Sequence, residues 1–241
     1  MATALKKSSG REVWAMLLDE STVIVGDGTK TLAAGHLYAI KSKASSSSGL
    51  PAGLGEGDVL FGQNGVSVTL AVGDDVYDLV DPFDTDKLIG FARSKDITRT
   101  KNTIDMTVDG DIGNGVVDQR IDPLVSVSGN INGLKVNGLP ATAASRKIDA
   151  MFAKQIIQAA DGTFTTLDKS DEIVIVALVY INKLRADNSV DIDIVPCVFT
   201  SNGDSTDYGS ATSKSTAFTG VATSENGILP CTISALLPSA T

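Results

Sequence analysis

Residues 96–111 read DITRTKNTIDMTVDGD, and after Asn102, from Thr103 to Asp109, polar and apolar residues alternate without a break. Ile104, Met106 and Val108 share one face, and Thr103, Asp105, Thr107 and Asp109 share the other. A period of two marks a strand with one face on a core and one face in water. Residues 190–198 repeat the device, setting Ile192 and Ile194 against Asp191 and Asp193. Both segments predict strands that present ladders of carboxylates to solvent, with the isoleucines turned inward.

Shorter apolar runs predict further strands at about 13–18, 22–25, 36–43, 66–72, 124–131, 172–181, 217–222 and 231–235. Between them stand Asn-Gly pairs beginning at Asn64, Asn114, Asn132, Asn137, Asn202 and Asn226, and Asp-Gly pairs beginning at Asp27, Asp109 and Asp161. Such pairs supply the positive φ angles of tight hairpins. One segment has helical spacing: over 141–160, Ile148, Met151, Phe152, Gln155, Ile156 and Ala159 fall on one stripe, Pro140 precedes it and Asp161-Gly162 ends it. The expectation is a mainly β domain spanning 1–241, a β-sandwich or ring-forming barrel subunit, with one principal helix flanking a sheet.

Two segments break the rhythm. Residues 44–65 are rich in Ser and Gly and too long for an ordinary hairpin loop. They nevertheless carry Leu50, Leu54, Val59, Leu60 and Phe61, apolar residues that a solvated linker does not need. A partner surface is the expected cover for Leu50, Leu54 and Phe61. Residues 201–215, SNGDSTDYGSATSKS, read as a polar hairpin.

Composition narrows the function. The chain has 241 residues, 42% of them hydrophobic but only 5% aromatic, and a formal net charge of −9. That charge argues against grip on a phosphate backbone, which takes clustered Lys and Arg. Scarce aromatics make poor material for carbohydrate platforms. Cys197 and Cys231 are too few for a disulfide scaffold and lack CxxC spacing, so they are expected as reduced thiols. No run of about 18 apolar residues suggests a membrane span, and the first 20 residues lack the apolar stretch of a secretory signal.

Candidate chemistry is sparse. His36 is the sole histidine, and no GxSxG or HExxH pattern employs it, so a structural role is expected. The glycines at 53, 55 and 57 do not make GxGxxG, and Gly28-Thr29-Lys30-Thr31 is not a P-loop. The acidic stretch 74–86, DDVYDLVDPFDTD, lacks the D-x-[DN]-x-[DN]-G order and closing Glu of a calcium loop, and Pro82 interrupts it; it reads as an acidic turn. The chain is therefore expected to be no enzyme, with no catalytic residue, cofactor or metal.

The order of parts, DITRTKNTIDMTVDGD, then LVSVSGNINGL, then a helix, then EIVIVALVYINK and DIDIVPCVF, resembles the major tail (tail tube) proteins of long-tailed bacteriophages, and more distantly the tube of type VI secretion. The resemblance implies a virion structural protein, assembled in the host cytoplasm, that forms hexameric rings stacking into a conduit for genome ejection. It also implies tape-measure and tail-tip proteins as partners, and DNA that passes without specific binding. On that reading Asp105, Asp109, Asp191 and Asp193 face the lumen, and Leu50, Leu54 and Phe61 touch the next ring. The competing readings are a tail terminator, a head decoration protein, a secretion-tube subunit and a non-catalytic carbohydrate-binding or adhesive sandwich.

Overall fold

The computed structural model describes residues 11–18, 23–45, 48–62, 67–81, 85–105, 120–134, 142–182, 189–205, 213–221 and 230–236. In chain order the strands are β1 (Arg11–Leu17), β2 (Val23–Val25), β3 (Leu37–Ser42), β4 (Val59–Phe61), β5 (Asp75–Val80), β6 (Leu88–Phe91), β7 (Ser94–Asp105), β8 (Arg120–Leu134), β9 (Gln155–Gln158), β10 (Phe164–Leu167), β11 (Val176–Asn182), β12 (Ser189–Ser205), β13 (Ser213–Gly220) and β14 (Cys231–Leu236). Among the described residues one α-helix occurs, α1 (Ala144–Ala150). The protein is mainly β, as the alternation predicted.

β11 reads VALVYIN and is buried at every position but the last. A strand apolar on both faces needs a core on both sides, and this one has them. Val176, Leu178 and Tyr180 join Val13, Ala15 and Leu17 of β1 and Val195, Cys197 and Phe199 of β12 in one cluster. Ala177, Val179 and Ile181 join Trp14, Met16, Ile192 and Ile194 in another.

The large sheet runs β6-β1-β11-β12-β13-β8-β7, with β14 pairing β12 beyond the end of β13. Its terminal strands β6 and β7 are separated in sequence only by Ala92 and Arg93. The Ala92 amide donates to the Arg11 carbonyl on β1 (3.0 Å), and the Arg93 amide donates to the Asn132 carbonyl on β8 (3.0 Å). One bent strand thus bridges both margins, and the sheet closes on itself as a barrel at that end. Closure removes edges that would otherwise recruit other chains. The first cluster, with Val127, Ile131 and Phe218, fills the interior. Gly129 makes room there, since a Cβ at that position would lie 2.8 Å from the Phe218 ring.

A second sheet, β2-β5-β3-β4, covers part of the outside. Leu37, Ala39, Tyr77 and Leu79 pack on the β1–β11–β12 face, and its own far side carries a third cluster of Leu32, Tyr38, Ile40, Leu50, Leu60, Leu70 and Val76. Ile192 and Ile194 therefore turn inward as expected and pack under this sheet. β5 lies in the stretch read as an acidic turn. Its burial shows why it is a strand: Val76, Tyr77, Leu79 and Val80 are all buried.

The helix is shorter than its stripe. It spans Ala144–Ala150 without a side-chain N-cap, and Ala144 and Ile148 plug the barrel interior. Residues 155–158 instead pair with 164–167 as a hairpin. Asp161-Gly162 decides this: Gly162 takes φ 85°, and the Asp161 carboxylate accepts from the Thr163 amide (2.9 Å) and hydroxyl (2.6 Å). These are turn contacts of an Asx type, which compete with helix.

The Ser/Gly-rich stretch is also corrected. Leu50 is 5% exposed within the third cluster, Leu54 packs against it, and Phe61 lies in β4 against the second cluster. These side chains have a cover inside the chain, so their apolar character no longer calls for a partner.

Candidate functional site

The register of β7, β8 and β13 sorts their residues onto two faces. Ser94, Asn132 and Ser215 are directly paired across the three strands; so are Asp96, Asn130 and Ala217, and so are Thr98, Ser128 and Thr219; Thr100 pairs with Ser126. These rows lie on the outer face, and apart from half-buried Ala217 their members are exposed. The Ser215 hydroxyl contacts the Asn132 side-chain oxygen at 2.6 Å. The face is a carpet of hydroxyls and amides with a single ionisable member, Asp96.

The opposite face is charged and anchored. Lys95 and Arg99 of β7 point inward with Ile97 toward the barrel, where they meet Asp193 of β12. Asp193 is 5% exposed, an ion-pair partner of Lys95 and of Arg99 (2.9 Å), and acceptor of a bond from the Thr232 hydroxyl of β14 (2.8 Å). The Lys95 ammonium also stands 4.3 Å from the Tyr180 ring centroid. Burial first, and then the Arg99 charge, pull its pKa below the ordinary lysine value. A polar plug thus closes the barrel interior where Val195 and Cys197 give way to Asp193.

This overturns one half of the alternation argument. Asp193 shares the parity of the interior residues Val195 and Cys197, and β12 is apolar on its other face too, so neither face of that strand is given to water. The carboxylate is tolerated because cations and a hydroxyl meet it. Asp191, half-buried, accepts from the Ser234 hydroxyl at 2.8 Å. The backbone of Asp105 pairs with Arg120 at the end of β7, while Asp109 lies outside the described residues, as does the tip of the polar hairpin at 206–212. The flanks of that hairpin are strand: 202–205 of β12 pair with 213–216 of β13.

The pairing of β8 with β13 ends at Ser128, but β7 and β8 remain paired as far as Asp105 and Arg120. Beyond Ser128 the two strands run on as a ribbon of their own. Among the described strands none pairs with the outer edge of β7 or with 120–127 of β8. The signal for the hydroxyl face stands in the sequence as the Ser126, Ser128, Asn130, Asn132 alternation of LVSVSGNINGL.

No family model matches the chain, and no curated protein matches it. Among solved structures, a chain from the tail of an empty GTA particle, obtained by helical refinement with C6 symmetry, is similar at 15% identity and a TM-score of 0.31, with 57% of this chain and 84% of that one covered. No helix among the described residues is long and apolar enough to cross a membrane.

Proposed function

We propose that the chain is a ring-forming structural subunit of a phage-type tail tube, with the outer face of β7, β8 and β13 turned toward the conduit. The observation that carries this reading is the β7–β8 ribbon, which among the described strands leaves its sheet with both edges unpaired, continuing a face whose described residues hold one carboxylate, Asp96, and no cation. Unpaired edges of this length recruit further strands. Heterologous pairing of one subunit's ribbon with the next either closes into a ring or continues as a filament. A ring of such ribbons makes a second, larger barrel whose inward surface continues the Ser, Thr and Asn rows that also hold Asp96.

That surface suits passage of a polyanion. Affinity for DNA comes from cations that release its counterions, and this face offers none. Lys95 and Arg99 are turned away and both pair with Asp193. Here the lining acts by absence of cations, where the resemblance had set Asp105, Asp109, Asp191 and Asp193 toward the lumen. Stacking of such rings, with tape-measure and tail-tip proteins as partners, completes the reading.

Negative-stain microscopy of the purified full chain tests it. The expected result is rings with a central hole, or tubes built from them, at high protein concentration. A monodisperse monomer across concentration and salt, with no ring in any image, overturns the reading.

A further inference from the structure

We propose that His36, Asp78 and Asp81 bind a divalent transition-metal ion of the zinc type. His36 immediately precedes β3, Asp78 lies in β5 and Asp81 immediately follows it, so the two strands bring one imidazole and two carboxylates together. One donor atom from each residue lies within 4.8 Å of the others. His36 Nδ1 is 2.9 Å from Asp78 Oδ2, and Nε2 is 3.4 Å from Asp81 Oδ1.

One feature of this cluster calls for a cation. Each ring nitrogen of His36 faces a carboxylate, Asp78 at Nδ1 and Asp81 at Nε2, while Asp78 Oδ1 is buried and, among the described residues, accepts no hydrogen bond. Buried carboxylate oxygens without a partner are costly, and a metal ion offers them a common electron-poor centre. Lys87 does not fill that place, because its ammonium is bonded to the Asp78 backbone carbonyl at 3.0 Å.

The surroundings fit a metal-binding imidazole. The Tyr38 ring stacks on His36 with centroids 5.8 Å apart and planes within 10°, and the Tyr38 hydroxyl is itself fixed by the Ala33 amide at 2.9 Å. Ring orientation by neighbours of this kind is what ligating histidines require. The Tyr38 hydroxyl is pushed up to about 12, by burial first and then by the negative charges of Asp78 and Asp81. An imidazole with carboxylates and no thiolate selects zinc or a neighbour in the transition series, whereas calcium and magnesium take oxygen alone. Three protein donors leave a position for water. The bound ion would pin the start of β3 to the end of β5, where the chain leaves the second sheet for the barrel.

Because His36 is the only histidine, its ring nitrogens give an unambiguous magnetic resonance signal. The full chain, freed of metal by chelation, is titrated at neutral pH with zinc chloride and, separately, with magnesium chloride. The expected result is movement of the His36 ¹⁵N resonances that saturates at one zinc per chain, with magnesium silent. Cobalt(II) should give visible absorption stronger than that of the aqueous ion. Asp78→Asn and His36→Gln should each weaken zinc binding by about tenfold or more, since metal affinity depends on each deprotonated ligand. Unmoved His36 resonances overturn the proposal, as does binding that survives both substitutions. A titration in which only pH moves the signal shows a proton held between two carboxylates, and overturns it as well. The wild-type spectra stand even where a variant fails to fold.

Discussion

Asp74 determines what the Ser/Gly-rich stretch becomes. Its carboxylate is buried and accepts from the amides of Ala44 (2.9 Å), Gly49 (2.8 Å) and Ala71 (3.0 Å) and the Ser48 hydroxyl (2.8 Å). Burial alone would raise its pKa, but these four donors outweigh burial and hold it below 3.8. A carboxyl with a depressed folded pKa contributes stability that is full above the unfolded value and lost as pH falls through the folded one. Asp74→Asn is therefore expected to cost about 1–3 kcal/mol near neutral pH, the usual penalty for buried groups left badly partnered. The gap from wild type should narrow below pH 3.8, and urea unfolding of both proteins across an acid series checks it. Asp193 permits a sharper contrast with Asp191. Removing one partner of a fully buried pair costs about 3–5 kcal/mol, but the Lys95 and Arg99 side chains are 28% and 39% exposed and regain water. Asp193→Ala should then cost about 1–2 kcal/mol, while Asp191→Ala, losing a serine contact at a half-buried position, should stay under about 1 kcal/mol. Equal losses in the two variants would show that the plug contributes nothing specific.

At the scale of elements, the long strands and the short β1, β2, β3 and β14 were legible, whereas β4, β5, β6, β9 and β10 were not. β7, β8, β11 and β12 announce themselves by alternation or by continuous apolar runs, and their limits fall within a few residues of those expected. β5 was missed because three aspartates in DDVYDLV suggested a turn, whereas the burial of Val76, Tyr77, Leu79 and Val80 made the segment a strand, with Asp75 and Asp78 half-buried and Asp74 buried just before it. The helical stripe over 141–160 was genuine only to Ala150. Past that point β-branched Ile156 and Ile157 and the Asp161 turn favoured a hairpin, and local hydrogen bonding prevailed over periodicity. Candidate function suffered for a different reason. Parity tells which residues share a face, but only the closed sheet tells which face is inside, and that closure rests on two backbone bonds at Ala92 and Arg93. The ribbon supplies the test at this scale. In the dissociated chain, amides along the outer edge of β7 are open to water and should exchange quickly, and assembly should protect them while leaving β11 unchanged. Hydrogen exchange read by mass spectrometry on monomer and on assembled material decides this, and an edge of β7 equally unprotected in both would remove the ribbon from the interface.

For the whole molecule, the division of labour between two kinds of surface matters most. The barrel interior, the inter-sheet layer and the outer cluster around Leu50 hold the buried apolar side chains, and Lys95 and Arg99 of β7 are turned inward to Asp193. What remains on the outer face of β7, β8 and β13 is polar, with one carboxylate, Asp96, and no cation among its described residues, in a protein of formal charge −9. Placing cations there tests the conduit reading directly. Thr98 and Ser126 are exposed, on adjacent strands of the ribbon, and diagonal to one another in the register. Thr98→Lys with Ser126→Lys avoids setting like charges directly opposite, and exposed substitutions of this kind usually shift stability by within about 0.5 kcal/mol. Rings should still form, and their symmetry repeats the two lysines around the opening. DNA should then be retained by assembled particles at low salt and released as salt rises, because each phosphate neutralised contributes a slope of about −0.9 in log affinity against log salt. The control carries the same two added charges elsewhere: Gln158→Lys with Thr166→Lys, exposed residues of the β9–β10 hairpin. If the hydroxyl face lines a channel, the first variant holds DNA that resists nuclease while the control binds it only on the outside, where nuclease reaches it. Equal and nuclease-sensitive binding by both variants would mean that the face looks outward, and the conduit would have to be sought on another surface of the barrel.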